Sequence, residues 1–260
     1  MTSLLDQICE SVRADLERRK AERSQADLEA DCYAVPTPRD FQAVLERSRS
    51  LVLIAEAKKA SPSAGLLQEN YDPAALAKTY EAAGAKALSV LTEPSFFQGS
   101  LDHLRQVKAA TGLPVLRKDF VLDDYQMYEA CAAEADAVLL IARLLDQSQL
   151  SDMVMLAHEL SVAALVEVHN DAELEAAQRA DARIIGINNR DLDTLTVDLE
   201  LTKRLAPVVD RHRVVVSESG IHSRADAQVA WNAGAKGILV GEALLRAADP
   251  AAAIREILHE

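Results

Sequence analysis

Four segments of this chain repeat one pattern, in which the end of a helix is followed by a tight turn and then by an apolar strand. They are residues 81–91, 130–141, 176–187 and 230–241. In the first and last segments, Gly84 and Gly234 occupy the position that ends a helix with positive φ, which glycine adopts at little cost. Helix starts are marked by residues that cap well, namely Asp72 before a proline, Asn170 and Ser223. The repeat predicts strands and helices in regular alternation.

The strands read as continuous apolar runs, which are typical of parallel strands covered on both faces. Eight such runs occur, at residues 51–57, 87–92, 114–119, 137–142, 163–169, 184–189, 214–218 and 237–241. Each of the seven stretches between them is long enough for a helix, and residues 250–258 supply an eighth. Eight alternating units favour a fold of the α/β class, a closed (β/α)8 TIM barrel, over an open doubly wound sheet.

The barrel accounts for residues 48–260 and leaves residues 1–47 as a helical extension of a single 260-residue domain. In the extension, a first helix is indicated by apolar residues at every fourth position, Leu4, Ile8, Val12 and Leu16. A second helix is predicted to start at Thr37 and Pro38. We expect the extension to pack on the barrel, and a frayed acidic terminus is the alternative.

Composition excludes several classes of partner. A net charge of −13 argues against nucleic acid and anionic membranes, although a local cationic pocket can still bind an anionic metabolite. The apolar runs have the length of strands, which is too short to span a bilayer. The sequence also lacks the basic segment followed by an apolar run that is typical of a secretory signal. Three widely separated cysteines fit neither a disulfide framework nor a zinc site, which points to a reducing cytoplasm. We expect no metal and no cofactor, and a monomer or weak homodimer.

Charged residues stand at the C-terminal ends of alternate strands, above aliphatic residues of the same face. They are Glu56 and Lys58 at the end of the first strand, Lys118 in the third, Glu167 in the fifth and Glu218 in the seventh. Residues two apart share a face of a strand, and barrel enzymes carry their active sites at the C-terminal mouth. The five side chains are therefore predicted to converge there in one layer.

A catalytic role explains this layer better than solvated strand ends do. An unpaired ion in a low-dielectric interior costs several kcal/mol, so aliphatic side chains are expected at such positions unless the charges have a function. The set is nearly balanced once Arg190, after the sixth strand, is included. Neighbouring opposite charges keep both kinds of group ionised.

Glycines follow the last two strands, where barrels of this kind frequently bind phosphate. Gly220 and Gly241 allow the backbone to approach an oxyanion, with Glu242 next to the second glycine. We predict a phosphate site at these three residues and Lys58. An apolar wall for a ring is predicted from Phe97, Phe120, Leu139 and Leu239.

The segments that carry these residues resemble the indole-3-glycerol phosphate synthase family of tryptophan biosynthesis. They are residues 54–65, 90–100, 115–120, 165–170, 185–192, 215–221 and 239–246. The family is a (β/α)8 barrel whose N-terminal helical extension lies over the mouth, which agrees with residues 1–47. This chain has Glu242 where some members use a serine as phosphate ligand.

The resemblance implies conversion of 1-(2-carboxyphenylamino)-1-deoxyribulose 5-phosphate into indole-3-glycerol phosphate, with loss of CO2 and water. By match to the family, Lys118 is the general acid of ring closure, and Glu167 is the general base of the later dehydration. Lys58 would neutralise the anthranilate carboxylate and act as an acid in the dehydration. Glu56 and Glu218 would orient the two lysines.

The remaining matched positions are predicted to bind the substrate. Asn188 and Arg190 would hydrogen-bond it, Ser219 lies in the segment after the seventh strand, and Ser61 would order the loop after the first strand. The histidines, His169 included, are interpreted as surface residues or supports behind the site.

Three other functions stay open from the residues. Lys118 or Lys58 could form a Schiff base with a sugar-phosphate ketone, as in class I aldolases. The glutamates with His169 could serve a metal-dependent lyase, although the lysines among them would repel a cation. A barrel that binds a phosphorylated ligand without catalysis is the third.

Overall fold

The computed structural model describes residues 3–62 and 64–258, and within these residues eight parallel strands form a closed barrel. These eight strands, together with the two strands of a separate hairpin, are β1 Val52–Ala57, β2 Ala60–Ser61, β3 Gly65–Leu66, β4 Ala87–Leu91, β5 Val115–Lys118, β6 Ala137–Ile141, β7 Ala163–Val168, β8 Ile184–Asn188, β9 Val214–Glu218 and β10 Gly237–Val240. Around the barrel the order is β1, β10, β9, β8, β7, β6, β5 and β4, and β2 pairs with β3 in a short antiparallel hairpin.

The predicted (β/α)8 TIM barrel is confirmed, and its eight strands start and end within one residue of the predicted bounds. The hairpin of β2 and β3 was not predicted. Its strands have only two residues each, which is too short for a periodic pattern to register.

Helices separate the strands and cover the outside of the barrel. They are α1 Leu4–Glu22, α2 Gln25–Cys32, α3 Phe41–Glu46, α4 Pro73–Ala82, α5 Pro94–Phe97, α6 Leu101–Ala110, α7 Tyr125–Ala132, α8 Gln147–Glu159, α9 Asp171–Arg179, α10 Glu200–Leu205, α11 Arg224–Ala233, α12 Glu242–Arg246 and α13 Pro250–Leu258. Asp72, Asn170 and Ser223 cap α4, α9 and α11 as predicted, each accepting a hydrogen bond from a backbone N–H in the first turn. Gly234 ends α11 with a φ of 108°.

The extension differs from the prediction in two ways. The helix predicted to start at Thr37 and Pro38 begins at Phe41, because the Asp40 side chain accepts the backbone N–H of Ala43 at 2.8 Å and caps the helix there. The helix α2 was missed. The expected packing on the barrel is confirmed, and the frayed terminus is wrong, since α1 buries a continuous apolar face made of Leu5, Ile8, Cys9, Val12 and Leu16.

The extension reaches both ends of the barrel. Leu5 and Ile8 of α1 line a cavity at the C-terminal mouth together with Phe120. At the opposite end, α3 closes the lumen with Phe41 and Leu45. Gly237 is the first residue of β10, and a Cβ there would lie 2.7 Å from Cδ2 of Leu45. The glycine therefore makes room for the side chains of α3 that close the lumen, which we call the plug.

A buried ionic network ties α1 to the outer face of β5. The Arg117 side chain lies between β5 and α7, where Nη2 contacts Asp119 at 2.9 Å and Glu129 at 3.3 Å. Its Nη1 donates to the backbone oxygen of Gln126 at 2.7 Å. Arg19 of α1 forms an ion pair with the same Glu129. The residue after Arg117 points the other way, into the lumen.

Two large apolar cores result from this arrangement, beside a small cluster of Leu16, Leu28 and Tyr125. One lies between the barrel and its helices, and the other fills the lumen from the plug of α3 up to the layer of charges at the mouth. In the part of the chain that the structure describes, no helix has the length and apolar character needed to cross a bilayer.

Candidate active site

Three of the predicted charged side chains meet at the floor of the mouth. Nζ of Lys118, at the end of β5, donates to Oε2 of Glu167 in β7 at 2.9 Å and lies 3.5 Å from Oε2 of Glu218 in β9. Both glutamates are almost fully buried. The strands alternate around the barrel, so their inward residues fall in one layer.

The other predicted pair lies on β1. Lys58 donates to Oε1 of Glu56 at 2.7 Å. A Cβ on Gly241 would lie 2.3 Å from Oε1 of Glu56. The space for the Glu56 carboxylate is therefore provided by the glycine that follows β10, which is a reason for this glycine that the sequence did not suggest.

The charges around Lys118 and Glu167 favour the ionised form of both groups. Burial disfavours the Lys118 ammonium, but Glu167, Glu218 and Glu56 outweigh burial and raise its pKa above the ordinary value. Burial likewise opposes ionisation of Glu167, and Lys118 and His169 reverse this and lower its pKa. At neutral pH the site thus contains a charged ammonium hydrogen-bonded to a carboxylate.

Glu218 behaves differently from Glu167 although both contact Lys118. Burial, together with the nearby Glu167 and Glu56 carboxylates, outweighs Lys118 and raises the pKa of Glu218 to about 8. Neither carboxylate oxygen has a hydrogen-bond partner among the described residues. Glu218 can therefore hold or release a proton near neutral pH beside the lysine.

His169 is buried behind Glu167 rather than lying on the surface. The side chain, only 8% exposed, stands between Glu167 and Glu173, with Nε2 at 3.4 Å from Oε1 of Glu167 and Nδ1 at 3.0 Å from Oε2 of Glu173. Burial lowers its pKa, and the two glutamates outweigh burial and raise it to about 9. Of the two interpretations of the histidines, as surface residues or as supports behind the site, the position of His169 fits the second and not the first.

Above the charged layer, an open cavity of about 920 Å³ extends to solvent. Lys118, Glu167, Glu218, Glu56 and Lys58 lie at its base and side. The remaining predicted residues that line it are Asn188, Arg190, Ser219, Gly220, Gly241, Glu242, Phe97, Phe120, Leu139 and Leu239. Among the described residues, no three His, Cys, Asp or Glu side chains are arranged to hold a metal ion.

Ser61 lies apart from the other predicted residues. It lines a neighbouring cavity of about 580 Å³ under α1, which shares Lys58 and Arg190 with the main cavity. Its hydroxyl accepts the backbone N–H of Ala64 at 3.2 Å, so it orders the loop after β1.

Polar side chains on the β8 side hold one another in place. Oδ1 of Asn188 accepts the Ser219 hydroxyl at 2.8 Å and the backbone N–H of Arg190 at 3.1 Å. The carboxylate of Glu242 contacts Arg190 at 3.4 Å and Arg246 at 2.9 Å. Two arginines thus neutralise the acidic residue that stands where a phosphate site was predicted.

Several residues that line the cavity were missed in the sequence, among them Leu192 and His222. Both come shortly after a strand end, in the loops after β8 and β9. Their position in such loops is the one signal that could have indicated them, because these loops surround the mouth.

The model of the family described as indole-3-glycerol phosphate synthase matches residues 5–257 of this chain. The chain belongs to the indole-3-glycerol phosphate synthase family. A relative named indole-3-glycerol phosphate synthase from Roseiflexus sp. (strain RS-1) is 47% identical, over 99% of this chain and 98% of its own length. A second relative of the same name, from Dehalococcoides mccartyi (strain CBDB1), is 45% identical, over 98% of this chain and 100% of its own length.

Among solved structures, an N-acetylmannosamine-6-phosphate 2-epimerase from Clostridium perfringens is similar, with a TM-score of 0.62 over 80% of this chain and 93% of that chain. At 16% identity this likeness concerns the barrel fold alone. Family membership rests on the match of the synthase family along the chain.

Proposed function

We propose that this chain is an indole-3-glycerol phosphate synthase, a carboxy-lyase of tryptophan biosynthesis. The substrate would be 1-(2-carboxyphenylamino)-1-deoxyribulose 5-phosphate and the products indole-3-glycerol phosphate, CO2 and water. The observation that carries the proposal is the Lys118 ammonium, 2.9 Å from Glu167 and at the base of an open cavity, in a chain of this family. An acid and a base side by side suit a reaction that requires both.

Ring closure needs an acid at a carbonyl oxygen. As the aromatic carbon bonds to the ketone carbon, that oxygen gains negative charge and takes a proton from the Lys118 ammonium. Loss of CO2 then restores the aromatic ring. A positioned general acid of this kind typically contributes about 10²–10⁴-fold to the rate.

Dehydration needs an acid and a base on the same intermediate. Lys58 would protonate the leaving hydroxyl, which departs as water, while Glu167 accepts the proton released as the indole double bond forms. Glu56 contacts Lys58 at 2.7 Å and Glu218 lies 3.5 Å from Lys118, so these two carboxylates orient the lysines. Lys118 and Lys58 give two protons and Glu167 takes one, and one proton from solvent, which balances the loss of the carboxylate as CO2, restores the three side chains. No net oxidation occurs, so the proposal includes no cofactor.

Binding of the substrate would use the rest of the cavity. The aromatic ring would lie against apolar side chains, two of which, Phe97 and Phe120, have ring centroids 6.0 Å apart. Lys58 would face the anthranilate carboxylate, and Asn188 and Arg190 would hydrogen-bond the substrate. Ser219 would assist them, and Leu139 and Leu239 complete the apolar wall.

The phosphate would bind at the loops after β9 and β10. Gly220, with a φ of 81°, and Gly241 line the cavity there, and Lys58 follows β1, the strand that pairs with β10. Glu242 would contribute its backbone N–H only, because its carboxylate is turned to Arg190 and Arg246. The partner is thus a small phosphorylated metabolite, and we propose a cytoplasmic monomer or weak homodimer.

The test is to incubate the purified protein with the carboxyphenylamino deoxyribulose phosphate and follow indole fluorescence. Turnover supports the proposal. Tight binding without indole formation would instead support a barrel that only binds the ligand. A borohydride-dependent mass increase on Lys118 or Lys58 in the presence of substrate would support a Schiff-base enzyme and contradict the acid and base roles.

A further inference from the structure

A row of ionisable side chains continues from the active site to the N-terminus of α9. Glu218 contacts Lys118, Lys118 contacts Glu167, Glu167 contacts His169, and His169 contacts Glu173. The two oxygens of Glu167 are divided between two cations, with Oε2 facing Lys118 and Oε1 facing His169. Only the last two residues of the row have no place in the mechanism above.

Glu173 is held firmly. Its Oε2 accepts the backbone N–H of His169 at 2.7 Å, and its Oε1 accepts Nδ2 of Asn170 at 2.7 Å. In return, Asn170 accepts the backbone N–H of Glu173 at 2.9 Å and caps α9. The start of the helix therefore fixes the carboxylate that orients the imidazole.

The imidazole is placed between two carboxylates, which decides its protonation. In a neutral imidazole one ring nitrogen carries no hydrogen and is only an acceptor. Because a carboxylate lies on each side of the ring, that nitrogen would face another acceptor in either tautomer. The cation donates to Glu173 at 3.0 Å and forms an ion pair with Glu167, whose Oε1 lies 3.4 Å from Nε2 without a hydrogen bond. Burial opposes this charge and Arg143, which interacts with Glu173, adds a further positive group nearby, yet the balance favours the protonated ring.

We propose that His169, anchored by Glu173, is a positioning residue that holds Oε1 of Glu167 so that Oε2 stays turned to Lys118 and the cavity. The proposal rests on the function proposed above, in which Glu167 is the base of dehydration. It explains how a buried carboxylate keeps its orientation and charge when Lys118 gives its proton to the substrate, since the imidazolium remains beside it.

The kinetic test compares His169→Ala with His169→Gln and Glu173→Ala. The alanine variant is expected to lose about 10- to 100-fold in kcat, the range seen when supports of reacting groups are removed, with KM changed less than threefold. His169→Gln should recover most of the loss, because its amide can donate to Glu167 from nearly the place of Nε2. The double variant His169→Ala/Glu173→Ala should be no slower than His169→Ala, since the two act as one unit.

Controls separate positioning from general stability. His158→Ala, at an exposed histidine of α8, should leave kcat unchanged. Thermal unfolding of each variant shows whether it is folded. A kcat of His169→Ala within twofold of the wild type, or an equal loss in the alanine and glutamine variants, would overturn the proposal.

A second measurement needs no turnover. ¹⁵N NMR of substrate-free protein should show the His169 ring titrating at least 1 pH unit above the ordinary histidine pKa of 6.5, and Glu167→Gln should move that midpoint to lower pH. A midpoint unaffected by Glu167→Gln would contradict the contact. If the wild type forms no indole, the proposed function fails, while this titration still decides whether His169 and Glu167 interact.

Discussion

Gly186 and Glu218 share one space in the lumen of the barrel. A Cβ on Gly186 would lie 2.1 Å from Oε1 of Glu218. The two residues belong to neighbouring strands, since Gly186 of β8 pairs with Val216 of β9, two residues before Glu218. The carboxylate of Glu218 thus occupies the volume that any side chain at position 186 would need, and its place beside Lys118 depends on a residue that touches no substrate.

Replacing Gly186 by alanine is therefore expected to displace Glu218. We expect Gly186→Ala to lower the free energy of unfolding by about 1–3 kcal/mol, the usual range for overpacking, and to reduce kcat about tenfold or more because Lys118 loses its alignment. Urea denaturation and indole fluorescence measure the two effects. Gly112→Ala is the matched control, because its Cβ would meet only Oε1 of Glu81, at 3.4 Å. Equal behaviour of the two variants would refute the packing argument.

Removing the ammonium tests the proposed acid directly. Lys118→Met keeps the aliphatic stem and should lower kcat by about 10²–10⁴-fold, while the substrate still binds. Circular dichroism is needed alongside, because Glu167 and Glu218 lose their shared cation. Lys203→Met on α10, which removes a half-exposed lysine paired with Glu200, should have no effect on kcat. Retained turnover in Lys118→Met would count against the mechanism.

The raised pKa of Glu218 predicts a pH dependence of stability. The folded protein takes up this proton at a pKa of about 8 instead of the ordinary 4.5. The contribution of the group is therefore fully present below about pH 4.5 and is lost as the pH rises through about 8. The glutamine of Glu218→Gln cannot lose a proton. The free energy of unfolding of this variant, relative to that of the wild type, should therefore rise from pH 5 to pH 9.

Between pH 5 and pH 9 the difference in unfolding free energy between Glu218→Gln and the wild type should change by more than about 1.4 kcal/mol, which corresponds to one pKa unit. Urea unfolding of both proteins at pH 5 and pH 9 gives the difference directly. Glu200→Gln, at an exposed glutamate, should show no such change. A constant difference between Glu218→Gln and the wild type at the two pH values would contradict the assignment.

Arg117 is expected to matter for stability more than for chemistry. Arg117→Met leaves Asp119 and Glu129 buried without their shared cation and should destabilise the protein by about 3–5 kcal/mol. Arg105→Met removes a half-exposed arginine paired with Asp102 and should cost less than about 1 kcal/mol. Chemical denaturation of the two variants provides the comparison, and similar losses would mean that the buried network contributes little.

The barrel was predictable because its signals are local. Apolar runs of strand length, capping residues such as Asp72 and Ser223, and glycines such as Gly234 each mark an element within a few residues of sequence. The short helices of the extension were less predictable. The start of α3 depends on the Asp40 side chain, which displaced the boundary indicated by Thr37 and Pro38.

For the site, period-two alternation was enough to bring Lys118, Glu167 and Glu218 together, because strand geometry fixes which side chains face inward. The same rule predicts which side chains share a layer but not how individual side chains pack against one another across elements. The fit of Gly186 to Glu218, and of His169 between Glu167 and Glu173, depends on distances across strands and helices. Those are set by the closed barrel and not by any single segment.

The position of the plug in α3 has a consequence for how the molecule assembles. Leu45 packs against Gly237, which lies near the other end of the chain, and Arg19 pairs with Glu129 in the middle of it. Contacts of such long range form only after the intervening chain has been ordered. The helical extension therefore takes its final place only after the strands that it contacts have assembled.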